Sequence, residues 1–316
     1  DRPLSRGLGD VYKRQQPSMF TLVLLASISI LSMNSFLPSF PSMAIHFGST
    51  TAIIGLSVAI YLFSSAILQL LIGPLSDKIG RRPALLWTLA IFILASFACV
   101  YAPNTTTFMV LRAIQAFAAC CMVLARAIVR DTNDTKTCAS KIAYISRGMA
   151  ITPRFAPALG GALDGWIGWQ ANFWMLGSVG TVIWFITYFD QGETVPESTS
   201  GFRKKFREYP DLISSKRFWS YCLSSMFGAG AFFAYLGGGP FVGSVVFNLS
   251  PEKLGVYFGA PAIGYFTGNF LSGRYAIYFR IDQMILWGLS IILLGISLSV
   301  ICTYLTFFSD IPSAPD

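Results

Sequence analysis

The sequence predicts an all-α polytopic membrane protein, on three observations. Hydrophobic residues make up 54% of the chain and charged ones only 12%, a balance that excludes a soluble enzyme. The apolar residues come in blocks close to the ~20 that a helix needs to cross the hydrocarbon core. No two-residue alternation runs through these blocks, which removes a β-barrel, and lipid offers backbone groups no other partner.

Nine spans follow, at about 19–38, 51–72, 84–101, 105–127, 141–162, 170–189, 218–237, 253–272 and 283–306. Span one ends in Leu31-Ser-Met-Asn-Ser-Phe-Leu-Pro38. Spans two and three are joined by Gly73-Pro-Leu-Ser-Asp-Lys-Ile-Gly-Arg-Arg-Pro83, turn formers and paired charges that read as a loop capping two helices on one face. Span four contains Leu111-Arg112-Ala-Ile-Gln115-Ala and ends in Leu124-Ala-Arg-Ala-Ile-Val-Arg-Asp131. Span five contains Ala156-Pro-Ala-Leu-Gly-Gly161, followed by Gly168-Trp-Gln-Ala-Asn-Phe-Trp174 before span six. The stretch 190–217, with six basic and five acidic residues and two prolines, reads as a linker between two bundles. Spans eight and nine flank Gly268-Asn-Phe-Leu-Ser-Gly-Arg274, an echo of the first loop that lacks its aspartate and supports an internal repeat.

Lysine and arginine set the orientation. The loops after spans two, four, six and eight hold fifteen of them: Lys78, Arg81, Arg82, Arg126, Arg130, Lys136, Lys141, Arg203, Lys204, Lys205, Arg207, Lys216, Arg217, Arg274 and Arg280. The loops after spans one, three, five and seven hold one, Lys253. Even loops and the N-terminus are therefore expected on the cytoplasmic side of a bacterial inner membrane. The net charge of +8 is this asymmetry plus four basic residues before span one, and no nucleic-acid partner is implied. The six cysteines show no metal spacing and fall where thiols stay reduced, so neither a metal nor a cofactor is expected.

Residues 1–18 are set apart as a leader, because 1–15 resemble translated sequencing-adapter sequence; a natural amphipathic leader is the other reading.

The spacing G-x-L-S-D-x-x-G-R-R resembles the signature loop of major facilitator transporters. With the span-one, span-four and span-five motifs it is similar to the bicyclomycin-resistance-type (Bcr/CflA) branch of drug:proton antiporters, over residues 19 to about 300. The resemblance implies a major facilitator fold: a complete six-helix half at 19–189, the cytoplasmic linker at 190–217, and about three helices of a second half at 218–316, so that the chain looks truncated. It implies efflux of a small amphipathic molecule, a drug or metabolite, by alternating access and proton antiport. The protein is expected to work as a monomer in the lipid bilayer and not as an enzyme. The alternatives are a truncated fragment unable to transport, or a facilitator without proton coupling.

Residue roles follow from both sources. Arg112 lies about seven residues inside span four; burying it is costly, so it should face the bundle interior with Gln115 on the same helical face, unless it snorkels to the interface. Asn34, Tyr61, Arg112 and Gln115 are the expected cavity group, with Asn34 and Arg112 sharing one water-filled space. Gly73 and Gly80 are expected to make tight turns, and Asp77, Arg81 and Arg82 to form a latch, with Arg126, Arg130 and Asp131 at the end of span four. Pro157, Gly160 and Gly161 should break span five near its outer end and let helices approach closely, an element that resembles the antiporter motif.

Two features depart from the branch. Asn34 stands where related antiporters commonly carry an acid, and the fifteen acidic residues fall in loops, at helix ends or in the leader, with Asp164 nearest to a span interior. Asparagine does not titrate, so the proton carrier lies elsewhere or coupling is absent. Arg147 and Arg154, seven apart and on one face of span five, either line the cavity and favour anionic substrates or are read errors replacing methionine.

Overall fold

In the computed structural model the described residues are 17–194, 210–211, 213–241, 264, 267–268, 270–272, 274–275 and 278–309. All regular structure among them is helical. The helices are α1 Met19–Asn34, α2 Phe40–His46, α3 Thr51–Ile79, α4 Arg81–Val100, α5 Thr105–Gln115, α6 Ala118–Thr132, α7 Thr135–Trp166, α8 Gln170–Asp190, α9 Lys216–Phe241 and α10 Ile281–Ser309, with a 3-10 turn at Leu37–Ser39. The chain divides into two compact units at 207/208, inside the 190–217 segment.

Local sequence starts the helices. Ser18, Thr50 and Asn104 each accept a backbone N–H three residues on, at the first turns of α1, α3 and α5, which satisfies donors the helix cannot. In the first unit α1 packs against α6 and α7, α4 against α8, and α3 against α5 and α6. Gly177 and Gly180 of α8 lie against Phe97 and Phe92 of α4, where a methyl group would press into the rings. Trp184 donates its indole N–H to the Leu86 carbonyl at 3.2 Å across the same pair.

Among the described residues, six stretches are long and apolar enough to cross a membrane: Met19–His46, Thr51–Ile79, Arg81–Val100, Thr105–Thr132, Gln170–Asp190 and Asp282–Leu305. The expected fifth span forms α7 but is not among them, because Lys136, Lys141, Arg147 and Arg154 lie along it. The expected eighth span, 253–272, lies largely outside the described residues. In the second unit the Tyr221 hydroxyl meets the Asp282 carboxylate at 3.1 Å, tying α9 to α10.

The structure corrects four local expectations. The stretch from Gly73 is not a loop: α3 runs through Gly73 and Pro74 to Ile79, and a single residue, Gly80, turns the chain into α4. Of Gly73 and Gly80, only Gly80 needs glycine conformation, with φ at 101°. Second, Pro157 does not break span five, since α7 continues as helix across both Pro153 and Pro157. Third, span four is two helices: i→i−3 bonds from Phe117, Ala119 and Cys120 tighten the chain between α5 and α6, one turn beyond Arg112. Last, span one is not one continuous helix: its first helix ends at Asn34, where Pro38 cannot continue the ladder and a 3-10 turn leads into α2.

Candidate functional site

Two polar groups lie in the first unit. The first is at the middle of the bundle, around Arg112, which is fully buried. Its Nη1 donates to the Gln115 side-chain oxygen and, at 3.4 and 3.5 Å, to the carbonyl and hydroxyl of Ser32 on α1. Gln115 in turn donates to the Ser96 hydroxyl of α4 at 2.7 Å, and Ser96 donates back to the Phe92 carbonyl. The guanidinium lies 4.2 Å from the Phe36 ring centre and 4.8 Å from that of Tyr61, so aromatic faces offset part of its lost hydration. Tyr61 is held by the Ser29 hydroxyl at 3.0 Å.

Arg112 therefore takes the interior course and does not snorkel. Its Nε and Nη2 have no partner among the described residues. Those two nitrogens form the edge of a guanidinium that meets a carboxylate side-on with two parallel hydrogen bonds. The group can thus hold an anionic group in a dry setting, and it cannot release its proton readily.

Tyr61, Arg112 and Gln115 come together as expected, and Asn34 does not join them. Asn34 donates to the Ile30 carbonyl one turn back, at 2.8 Å. Ser32 takes the Arg112 side of α1, and Phe36 reaches the guanidinium from just past the helix end; Asn34, two residues on from Ser32, is displaced from it by roughly 200° around the helix. Arg147 is exposed on α7, and the Arg154 side chain lies outside the described residues.

The second group sits at the turn between α3 and α4. Arg81, nearly fully buried, places Nη2 2.5 Å from Asp77 and Nε 2.8 Å from Asp131 at the end of α6. Its Nη1 donates to the Ser76 hydroxyl. Arg82 donates to the Tyr188 carbonyl at 2.7 Å and lies over that ring. Of the span-four-end residues only Asp131 joins the cluster; Arg126 and Arg130 are exposed, Arg130 reaching Asp131 at 4.0 Å.

At the opposite end of the bundle, Gly160 lies where a Cβ would collide with the Ser35 backbone oxygen, so α7 touches the end of α1 backbone to backbone. Asn172 of α8 bridges the crossing, donating to the Gly160 carbonyl at 3.1 Å and the Ser39 hydroxyl at 3.0 Å. Gly161 has ordinary contact with Pro38 only. Asp164 accepts from the Ser42 hydroxyl at 2.8 Å.

Sequence reasoning did not single out Ser32, Phe36, Ser96 or Glu193. The first two lay inside the span-one motif, flanking the asparagine that drew attention. Glu193 accepts from the Arg81 backbone across 112 residues, a pairing with no local signal beyond an acid soon after span six.

A model of the Major Facilitator Superfamily matches residues 22–312. The chain is 32% identical over 262 residues to an uncharacterized MFS-type transporter, YdgK, of Bacillus subtilis, covering 81% of this chain and 65% of that protein. It is 32% identical over 220 residues to a chloramphenicol resistance protein of Pseudomonas aeruginosa, covering 68% of this chain and 52% of that one. The match to the multidrug resistance protein MdtL of Escherichia coli is 31% over 202 residues, 64% of this chain and 51% of that one. The chain thus spans about half to two thirds of the length of these relatives. Among solved structures, a bacterial homolog of the human lysosomal transporter Spinster, inward-facing and unoccupied, superposes with a TM-score of 0.64 at 21% identity, over 83% of this chain and 63% of that one. The human organic anion transporter MFSD10 gives 0.57 at 19% identity, over 87% and 73%.

Proposed function

This chain belongs to the major facilitator superfamily, and on that premise we propose that it is a secondary transporter of a bacterial inner membrane. It exports small amphipathic drugs or metabolites by alternating access, as a monomer, with its N-terminus in the cytoplasm. The observation that carries this reading is Arg112, a cation buried at the middle of an apolar bundle. Such a residue is costly there and marks a substrate or ion path. Relatives named for multidrug and chloramphenicol resistance support the direction of transport. Proton antiport belongs to the proposal through the Bcr/CflA resemblance.

A second reading, a facilitator without proton coupling, is favoured by one specific observation. Asn34, where a titrating group would be sought, bonds back to the Ile30 carbonyl of its own helix, and Arg112 meets no carboxylate among the described residues. Everted vesicles from cells expressing the protein separate the two. Energised vesicles should accumulate an amphipathic dye, and collapse of the pH gradient should abolish the accumulation. Protein-dependent uptake that only equilibrates the dye and is indifferent to the gradient supports the facilitator; none at all, with the protein present in the membrane, overturns both.

A further inference from the structure

Two acidic residues, one at the end of α8 and one just past it, hold two helix ends at once. Asp190 accepts the Ser18 backbone N–H at 2.8 Å and the Thr21 hydroxyl at 2.5 Å, both at the start of α1. Glu193, three residues on, accepts the Arg81 N–H on Oε1 at 2.8 Å and the Arg82 N–H on Oε2 at 3.3 Å, at the start of α4. The first N–H groups of a helix have no partner within it, and the helix dipole favours negative charge there. Helix α4 has no side-chain cap of its own, because its cap residue is Gly80. That glycine is needed twice: its φ is 101°, and a Cβ on it would collide with the Glu193 carboxylate and crowd the Pro83 ring at 3.2 Å.

Arg81 is therefore gripped by its backbone as well as its side chain. The N–H meets Glu193 while the guanidinium lies between Asp77 and Asp131. A one-residue turn leaves little slack, so fixing the backbone of residue 81 fixes where its guanidinium can reach. Resting on the transporter reading above, we infer that Glu193 is a positioning residue of the signature turn, and that it makes the start of the linker part of the gate. Asp190 anchors the end of α8 on α1, and Glu193 reaches from that anchor to hold Arg81 between the two carboxylates. A pull on the linker that withdraws Glu193 would uncap α4 and loosen the contact between Arg81 and Asp131 together. The signature turn is then read by the linker and not by the bundle alone.

The test is a double-mutant cycle on the chain in nanodiscs, in a cysteine-free background carrying Lys78→Cys at an exposed site next to the turn. The readout is the rate of labelling by a membrane-impermeant maleimide. Glu193→Gln and Asp131→Asn should each raise that rate roughly tenfold or more, the factor expected for one lost charge-assisted hydrogen bond. The double variant should exceed neither by more than about twofold, since both act through the placement of Arg81. Glu193→Ala removes the same acceptor without touching the turn and should label like Glu193→Gln, which keeps the test readable if one variant folds poorly. Effects that multiply in the double variant would reduce Glu193 to a helix cap and overturn the inference, as would an unchanged rate in Glu193→Gln. The cycle needs no substrate, so absence of transport by the parent would sink the transporter reading while leaving this result legible.

Discussion

The Arg81 guanidinium lies 2.8 Å from the Asp131 carboxylate although 50 residues separate them in the chain. Asp77 holds the other side of the same guanidinium at 2.5 Å, and the three side chains are 4%, 13% and 9% exposed. One arginine thus joins the ends of α3, α4 and α6 in a setting where water screens little.

Removing the central cation should hurt more than removing either acid. Arg81→Met leaves two nearly buried carboxylates facing each other, and breaking such a pair costs about 3–5 kcal/mol. Asp77→Asn leaves Arg81 still paired with Asp131 and should cost about 1–2 kcal/mol. Thermal unfolding in detergent should rank the parent above Asp77→Asn and that above Arg81→Met. In the transporter, Asp77→Asn should lower transport more than expression; full transport would mean the turn serves only as a turn.

Gly160→Ala and Gly161→Ala should separate sharply despite being neighbours. The first methyl would meet the Ser35 backbone oxygen, which no rotamer change can move, and overpacking of this kind costs about 1–3 kcal/mol or more. The second meets Pro38 at ordinary contact, 3.5 Å for Cβ. Folded yield by size-exclusion chromatography should fall for the first and stay at the parent level for the second.

Arg112→Met should leave folding intact while transport is lost. Removing an unneutralised buried charge relieves its desolvation cost, which offsets the Ser32 and Gln115 acceptors left without their donor. A melting temperature equal to or above the parent's, with no vesicle accumulation, is the expected pair of results. A lower melting temperature with full accumulation would make Arg112 a structural residue.

A carboxylate restored beside Arg112 should confer dependence on the pH gradient, and position decides whether it does. Ser32 borders the guanidinium, while Asn34 points elsewhere on α1. Ser32→Asp should therefore make transport more sensitive to collapse of the gradient, and Asn34→Asp should change it little. The reverse ranking would show that Asn34 reaches the cation in the working cycle.

Topology has a direct readout. Cysteines placed singly at 204, 253 and 274 should label from outside the cell at 253 alone, as the basic bias of the even loops requires. Labelling at 204 would invert the scheme.

The division between chain and fold runs along physical lines. Apolar run length by itself dictated an all-helical membrane protein, since lipid leaves the backbone no other way to bond. A charged residue inside an apolar run was legible as a group facing the bundle interior for the same reason, which is why the burial of Arg112 and its i+3 neighbour Gln115 could be named from sequence. Helix ends were less legible: Gly73-Pro74 reads as a stop, yet the helix continues to Ile79 because Arg81 and Ser76 give the last turn its partners. The partners themselves came only from tertiary packing. Ser96 under Gln115, Phe36 and Tyr61 over Arg112, Asp131 beside Arg81, and Glu193 at the start of α4 are contacts between spans far apart in sequence. Asn34 shows the limit most clearly. Residue type made it a cavity candidate, but roughly 200° of helix rotation, set by which face of α1 packs on α6 and α7, gave that place to Ser32.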